Sequence, residues 1–337
     1  MQFKKKRIIL VGGAGFIGHN LAISLRMKGA DVKVLDSLQV NNLVEHSNSK
    51  IGKENPVYIN FLNERISLLH KNKIPLDIVD ARDYHLLSNK LISFKPDVVV
   101  FLAAVAHANK ANKDPYNTFD HSLRTLENTL DTVRNTKAHL VYFSSSMVYG
   151  EFKERKVKEL TVCNPVGIYG ALKYSGEKLL IAYNQVFGLK YSIIRPSALY
   201  GERCVSRRVS QIFIENAVNS KNLEINGDGQ DSLDFTYIDD LINGVELVIK
   251  NKSSLGQTFN ITYGKSEKII NLAKYVADKF NVKINFKKRD KLMPKRGTLD
   301  ISKAKKLINY SPKFNIYKGI DKYIDWYNTY LKWNLGL

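Results

Sequence analysis

The sequence contains very little cysteine. Only Cys163 and Cys204 occur in its 337 residues, and neither their spacing nor their distance from a histidine is typical of metal ligands. We therefore expect neither a disulfide framework nor a zinc site, and we predict that the protein binds no metal.

Long hydrophobic runs are also missing. No apolar segment approaches the ~20 residues that a membrane-spanning helix requires. The basic start, Met1 to Arg7, is followed by an apolar stretch that glycines interrupt, which is not the pattern of a signal peptide. We therefore expect a cytoplasmic protein with no membrane partner.

Acidic residues are few relative to basic ones. There are 32 Asp and Glu against 52 Lys and Arg, a formal net charge of +20. Such a charge alone would suggest nucleic-acid binding, but the basic residues are scattered and no nucleic-acid motif accompanies them. We predict no nucleic-acid partner, and we expect the positive charge to help attract a polyanionic small ligand.

A strand, a glycine turn and a helix follow one another near the N-terminus. Residues 7–12 (RIILVG) predict the strand, 12–18 (GGAGFIG) the turn and 20–28 the helix. Glycines at 12 or 13 and at 15 let the backbone approach a pyrophosphate. Gly18 lets the helix pack on the strand, with its positive end toward the phosphates. This pattern predicts a dinucleotide site.

A second predicted strand, 31–35, ends in Asp36, about 20 residues beyond the glycine turn. An acidic side chain there can bind the ribose hydroxyls of NAD and repel the 2′-phosphate of NADP. We therefore predict NAD as the cofactor.

Strand and helix patterns alternate through the first half of the chain. Further strands are predicted at 74–79, 96–103, 139–143 and 190–195, and helices at 83–93 and 114–135. The alternation predicts an α/β fold, a doubly wound parallel sheet of the Rossmann type that strand 190–195 closes. The long connection 37–73, with a predicted helix at 60–70, is interpreted as an insertion near the adenosine side.

After Gly201 the predicted elements are shorter and mixed. Strands are expected at 223–225, 234–237, 258–261 and 283–286, and helices at 210–220, from 239, at 266–280 and at 317–331. We predict an NAD-binding domain over 1–200 and a smaller mixed α/β substrate-binding region over 201–337. The two interleave, and the ligand is expected in the cleft between them.

Tyr169 and Lys173 are four residues apart, which places both on one face of a helix. A free tyrosine titrates near ~10, so its use as a base at neutral pH requires a shift of about 3 units, which a fixed neighbouring cation can supply. A serine from the run at 144–146 would orient an alcohol beside the phenol. The set predicts proton abstraction from an alcohol, with Lys173 as the cation.

Together these features resemble the extended short-chain dehydrogenase/reductase family, in its nucleotide-sugar epimerase and dehydratase branch. The resemblance covers nearly the whole chain. It rests on GGAGFIG at 12–18, Asp36, DARD at 80–83, LAA at 102–104, SSSMVYG at 144–150, the Tyr169/Lys173 pair, RPSALYG at 195–201, NGDGQDSLDFTYIDD at 226–240 and DISKAK at 300–305. It implies NAD as cofactor and a nucleotide-diphosphate sugar as substrate.

The resemblance also implies roles for individual residues. Tyr169, Lys173 and Ser145 are the implied catalytic residues, with Ser146 as the competing serine. The implied cofactor contacts are Gly12, Gly15, Phe16, Ile17, Gly18, Asp36, Ser37, Asp80, Ala81, Leu102, Ala103, Ala104, Ser122, Phe143, Ser144, Tyr169, Lys173 and Pro196. The implied substrate contacts are His107, Ser145, Ser146, Met147, Ala198, Arg203, Arg207, Arg208 and Arg296.

Two departures from the family pattern concern the substrate diphosphate. Leu233 replaces the arginine usual before the Asp-Phe pair, and Ala198 replaces an asparagine common before Tyr-Gly. We expect a rearranged basic clamp drawn from Arg203, Arg207, Arg208, Lys295 and Arg296, because guanidinium groups bind phosphate bidentately. Both UDP and GDP remain admissible as the nucleotide.

The reaction implied by the resemblance is 4-epimerisation. Tyr169 would take the proton of the sugar 4-hydroxyl while NAD accepts the C4 hydride, and the keto sugar would take the hydride back on its other face. A dehydrogenase or ketoreductase that releases or consumes the 4-keto sugar uses the same residues and stays an alternative. A 4,6-dehydratase is disfavoured, because Ser146 and Met147 stand where that class carries Asp-Glu. Relatives also imply a homodimer, through helices at 114–135 and 169–187.

Overall fold

The computed structural model describes residues 2–48, 56–289 and 294–335. In chain order its strands are β1 (Arg7–Val11), β2 (Asp31–Asp36), β3 (Leu76–Ile78), β4 (Val98–Phe101), β5 (His139–Phe143), β6 (Lys156–Val157), β7 (Lys190–Arg195), β8 (Leu199–Tyr200), β9 (Leu223–Asn226), β10 (Ser232–Leu233), β11 (Thr236–Tyr237), β12 (Gln257–Asn260), β13 (Glu267–Lys268), β14 (Ile284–Lys287) and β15 (Thr298–Leu299).

The helices are α1 (Phe16–Met27), α2 (Leu43–Asn48), α3 (Pro56–Lys71), α4 (Tyr84–Phe94), α5 (Ala108–Lys113), α6 (Pro115–Phe119), α7 (Thr125–Val133), α8 (Gly167–Phe187), α9 (Val209–Val218), α10 (Ile238–Lys250), α11 (Ile269–Phe280), α12 (Ser302–Ile308) and α13 (Ile316–Leu335). A π-helical turn, Asp120–Arg124, joins α6 to α7, and short 3₁₀ turns occupy Ser146–Tyr149 and Lys252–Ser254.

Within the described residues, seven strands form one parallel sheet in the order β12-β7-β5-β4-β1-β2-β3. Strands β4 and β5 are buried along their whole length, as expected where helices cover both faces of a parallel sheet. The chain runs outward from β1 to β2 on one side and to β4 on the other. Such a reversal opens a crevice at the carboxyl ends of the strands.

The parallel sheet is confirmed, but the prediction that strand 190–195 closes it is wrong. β12 pairs with β7 as a further parallel strand, with Thr258 opposite Ile193. Without β12, β7 would be the edge of the sheet and its outer N–H and C=O groups would be unpaired. β12, which was predicted within the smaller region, forms hydrogen bonds with these groups. Residues 257–260 thus belong to the same sheet as the strands of the first 200 residues.

The predicted strand at 234–237 is interrupted at Asp234. β10 pairs with β13 and β11 pairs with β8, while the Asp234 carboxylate accepts hydrogen bonds from the backbone N–H groups of Gly264 and Leu299, each at 3.1 Å. Burial raises the pKa of Asp234 to about 7. The residue ties two loops together instead of continuing a strand.

The predicted helix 114–135 is likewise divided, by the π-helical turn Asp120–Arg124. Such turns disturb the regular hydrogen-bond ladder and occur often at functional sites. None of the helices in the described part of the chain is long and apolar enough to cross a membrane.

Candidate functional site

A cleft lies at the carboxyl ends of β1, β2 and β4. Most of the predicted cofactor contacts line it, namely Gly12, Gly15, Phe16, Ile17, Gly18, Asp36, Ser37, Asp80, Ala81, Leu102, Ala103 and Ala104. They come from four loops that are far apart in sequence. The parallel sheet brings these loops to one edge, at the point where the strand order reverses.

The glycine turn is shaped for close packing on one side and for a ligand on the other. Gly12 has φ +77°, and a Cβ there would lie 2.6 Å from the Ala103 nitrogen. A Cβ on Gly18 would lie 2.4 Å from the Gly13 carbonyl oxygen. A Cβ on Gly15 would have the Gly12 carbonyl oxygen as its nearest neighbour, at the ordinary contact distance of 3.6 Å. Gly15 also lines the cleft, so this side of the turn leaves room for a close ligand.

Helix α1 begins at Phe16, and no side chain caps its N-terminus. The first N–H groups of a helix need hydrogen-bond partners and carry partial positive charge. An uncapped N-terminus lining a cleft is a site for a phosphate group. The residues present therefore fit the diphosphate of a dinucleotide.

Asp36 is held rigidly at the end of β2. Its Oδ2 accepts from the Ala14 N–H at 2.9 Å and its Oδ1 accepts from the Leu38 N–H at 2.7 Å. Burial raises its pKa, and these two hydrogen bonds oppose the rise. The carboxylate lines the cleft, where it can accept hydrogen bonds from ribose hydroxyls.

Asp80 is part of a network at the neighbouring strand end. Arg82 donates to it through Nη2 at 2.6 Å, and Gln39 donates through Nε2 at 3.4 Å. Burial alone would raise the pKa of Asp80, but its hydrogen bonds with Arg82 outweigh burial and lower it. The network joins the insertion to the loop after β3 beside the cleft.

Tyr169 and Ser145 meet at the carboxyl end of β5. Tyr169 lies in the first turn of α8, and Ser145 precedes the 3₁₀ turn Ser146–Tyr149. The Ser145 hydroxyl is near enough to the phenol to lower the pKa of Tyr169, and it accepts the Met147 N–H at 3.2 Å. The Ser146 Oγ is buried and has no partner within the described residues. This geometry favours Ser145 over Ser146 as the partner of the phenol.

Lys173 is buried one helical turn beyond Tyr169, at the carboxyl end of β5. Its Nζ donates to the carbonyl oxygen of Phe143 at 2.7 Å, and burial lowers its pKa to about 7 against the opposing effect of Glu177. Burial raises the pKa of Tyr169, while Arg208, Ser145 and Arg296 oppose that rise. The effect of Lys173 on this pKa stays a prediction, and in the structure a strand-end carbonyl holds its ammonium.

Two of the four predicted substrate arginines approach Tyr169. Arg208 lines the cleft and donates through Nη2 to the Ala106 carbonyl at 3.3 Å. Burial, together with the charge of Arg208, lowers the pKa of Arg296 to about 10. Both guanidinium groups lower the pKa of the phenol. They create a positive field around its hydroxyl.

The other two arginines are engaged elsewhere. Arg203 forms an ion pair with Glu64 at 3.2 Å and lies over the Trp326 ring. Arg207 is exposed and lowers the pKa of Glu215 on α9. Of the candidate clamp residues, Arg208 and Arg296 are thus the two whose charges act on the phenol.

Comparison with known proteins identifies the family. The sequence pattern of the NAD dependent epimerase/dehydratase family matches residues 8–262. This chain belongs to that family. Its cofactor is accordingly NAD, and it is an NAD-dependent enzyme.

Individual members of the epimerase/dehydratase family match along nearly the whole chain. An uncharacterised UDP-glucose epimerase of Bacillus subtilis (strain 168) is 29% identical over 320 residues, which cover 93% of this chain and 95% of that protein. UDP-glucuronate 4-epimerase of Thermodesulfobacterium geofontis is 27% identical, covering 94% and 95%. The crystal structure of Bacillus cereus UDP-glucuronic acid 4-epimerase with UDP-glucuronic acid and NAD aligns with a TM-score of 0.85 at 26% identity, covering 96% and 99%.

Some predicted cofactor contacts do not line the cleft of this epimerase/dehydratase family member. The Ser144 hydroxyl donates to Glu177, and the Ser122 hydroxyl accepts from the Val105 N–H at 3.4 Å. Pro196 accepts the Ser146 N–H through its carbonyl at 2.9 Å. These contacts hold the segments beside Ser145 and Tyr169.

The remaining predicted substrate contacts differ in exposure. Met147 is buried, Ala198 adopts φ +38° just before β8, and His107 has a buried Nδ1 with no partner among the described residues. Burial and Arg208 lower the pKa of His107. Its imidazole is therefore expected to be neutral at pH 7.

The structure adds cleft residues that sequence reasoning missed: Val40, Asn41, Arg65, His121, Thr125, Val205 and Ser206. Arg65 is the only one that carries a full charge at neutral pH irrespective of its surroundings. Arg65 lies on α3, in the insertion. From the sequence alone, a single charged residue in an amphipathic helix gives no sign that it contacts a ligand. Only the packing of α3 against α1 reveals it.

Proposed function

We propose that the protein is an NAD-dependent nucleotide-sugar 4-epimerase that oxidises C4 of the sugar transiently. The observation that carries the proposal is the Tyr169 hydroxyl, whose pKa is lowered by the neighbouring Ser145 hydroxyl and by the charges of Arg208 and Arg296. Arg208 also lines the cleft that fits NAD. When bound, NAD supplies a hydride acceptor that can return the hydride, so no net redox change is needed.

The residues of the chain supply the proton chemistry. Tyr169 takes the proton of the 4-hydroxyl, and Ser145 donates a hydrogen bond to the phenolic oxygen. Burial raises the pKa of Tyr169 and favours its protonated form, so the base must be the phenolate that neighbouring groups stabilise. Arg208 and Arg296 stabilise that phenolate, and the same phenol returns the proton when the sugar is reduced.

The substrate is proposed to be a nucleotide-diphosphate sugar. In the described part of the chain neither Arg208 nor Arg296 pairs with a carboxylate; Arg208 donates to the Ala106 carbonyl. A diphosphate would provide the missing counter-charge through bidentate hydrogen bonds. The relatives named above act on UDP-sugars, which favours UDP over GDP.

A panel of UDP- and GDP-linked sugars tests the proposal. The native enzyme should convert one of them into its C4 epimer with no accumulation of reduced nicotinamide, followed by absorbance and by product NMR. Accumulation of reduced nicotinamide with a 4-keto product would instead establish the dehydrogenase alternative. A 4-keto-6-deoxy product would establish a dehydratase, although Ser146 and Met147 supply no carboxylate for it.

Tyr169→Phe should abolish turnover because it removes the proton acceptor, whereas NAD affinity measured by calorimetry should stay close to native. Tyr174→Phe, on the same helix, is the matched control and should remain active. Full activity of Tyr169→Phe would refute the assigned role of the phenol.

We further propose a cytoplasmic homodimer. α6 and α8 pack together, and Tyr116 and Phe119 on α6 and Phe187 at the end of α8 are exposed. Exposed large apolar side chains favour association with another copy. Sedimentation equilibrium of the purified protein measures the oligomeric state. A monomer at all concentrations would contradict this part of the proposal.

A further inference from the structure

Arg65 is a buried cation on the wall of the NAD cleft. Its residue is 1% exposed, and it lines the cleft together with Gly15, Asp36 and Ser206. It projects from α3, the main helix of the insertion, so it belongs to none of the loops that carry the dinucleotide pattern.

The hydrogen bonds of Arg65 leave its charge uncompensated. Nε and Nη2 both donate to the carbonyl oxygen of Arg203, the former at 3.1 Å. Within the residues that the structure describes, Nη1 donates no hydrogen bond and no carboxylate forms an ion pair with the group. Burial lowers its pKa to about 10, so it stays cationic at neutral pH.

The surroundings of Arg65 are short of negative charge. Asp36 is near enough for its charge to raise the pKa of Arg65, but both oxygens of Asp36 already accept backbone N–H groups. Arg203 adds a second positive charge nearby. His19 is neutral, because burial and both arginines lower its pKa well below the ordinary value.

The N-terminus of α1 adds a partial positive charge to the same cleft, and no side chain caps it. A buried cation without a counter-ion is unfavourable. A ligand that carries two adjacent negative charges would balance the helix end and the guanidinium together.

We propose that Arg65 is a cofactor-binding residue whose guanidinium pairs with the diphosphate of NAD. In this arrangement the Gly12–Gly18 turn supplies backbone N–H groups, and the insertion supplies the full charge. The proposal concerns cofactor binding alone, so it stands or falls independently of the epimerase reaction.

Calorimetric titration of Arg65→Met with NAD, ADP-ribose, ADP and adenosine tests the proposal. Loss of a hydrogen-bonded charge should lower the affinity for NAD, ADP-ribose and ADP about ten- to a hundred-fold. The affinity for adenosine, which has no phosphate, should be unchanged. Arg65→Lys, which keeps the charge but not the fork, should give an intermediate loss. Lys71→Met removes one exposed charge from the same helix and should bind all four ligands as the native protein does.

Thermal unfolding separates this role from a structural one. Without ligand, Arg65→Met should melt within a few degrees of the native protein or above it, because an uncompensated buried charge is removed. Its stabilisation by NAD should be smaller, because stabilisation follows affinity. Native NAD affinity combined with a lower melting temperature would overturn the proposal. Equal weakening of adenosine and ADP would overturn it as well. If Arg65→Met does not fold, Arg65→Lys decides: ADP binding by Arg65→Lys with the native affinity would overturn the proposal.

Discussion

Glu177 connects the stability of the sheet with the charge of Lys173, so its replacement by Gln should have two measurable effects. Arg195 donates to Glu177 through Nη2 at 2.6 Å and through Nε at 2.8 Å, and the two side chains are 5% and 3% exposed. The Ser144 hydroxyl donates to the same carboxylate. Glu177→Gln removes the negative charge and leaves Arg195 as a buried cation.

The first effect concerns stability. Breaking a buried ion pair from one side costs about 3–5 kcal/mol, which corresponds to a fall in melting temperature of roughly 4–7 °C for a chain of this size. Urea unfolding measures the free energy directly. Glu224→Gln is the control, because its pair with Lys287, at 2.7 Å, is 48% and 55% exposed and should contribute less than about 1 kcal/mol.

The second effect concerns the pH dependence of activity. Burial lowers the pKa of Lys173 to about 7, and Glu177 opposes that effect, so the variant should have a still lower pKa at Lys173. A lysine loses its charge as the pH rises through its pKa. If turnover requires the ammonium, the loss of turnover on the alkaline side should move to lower pH. A variant within about 1 kcal/mol of native with an unmoved profile would refute the reasoning.

Two further predictions follow from single residues. His139 is buried, with its Nε2 2.8 Å from the Ser192 hydroxyl, and burial lowers its pKa from 6.5 to about 4. As the pH falls, the histidine of the unfolded chain is therefore protonated before that of the folded protein. The free energy of unfolding should consequently fall by about 2 kcal/mol from pH 7 to pH 5. Urea unfolding at both pH values measures this, and His139→Phe should remove most of the loss. Gly15→Ala should fold normally but bind NAD more weakly, because its Cβ would enter the cleft. Gly18→Ala should instead lower the melting temperature, because its Cβ would lie 2.4 Å from the Gly13 carbonyl oxygen. A Gly15→Ala protein with native NAD affinity would contradict this account of the turn.

Sequence patterns predicted the elements whose causes are local. The bounds of β5 and β7 agree with the prediction, because short apolar runs between polar segments define a buried strand. The glycine turn and Asp36 were found for a similar reason, since their spacing follows from the contacts between one strand and the next helix.

The features that were missed depend on contacts between distant segments. The place of β12 beside β7 requires knowledge of which sheet edge is free. The orientation of Lys173 depends on the Phe143 carbonyl, 30 residues away in sequence. Arg65 reaches the cleft only because α3 packs on α1. No periodicity or motif encodes such contacts.

The most direct test of the central claim, C4 oxidation with Tyr169 as the proton acceptor, is an isotope measurement on the active sugar found in the panel. The native enzyme would be given that nucleotide sugar with deuterium at C4, and the product would be analysed by NMR and mass spectrometry. The account predicts inverted configuration at C4 with the deuterium retained, and no product from Tyr169→Phe. Replacement of the deuterium by solvent hydrogen, or equal conversion by the variant, would contradict it.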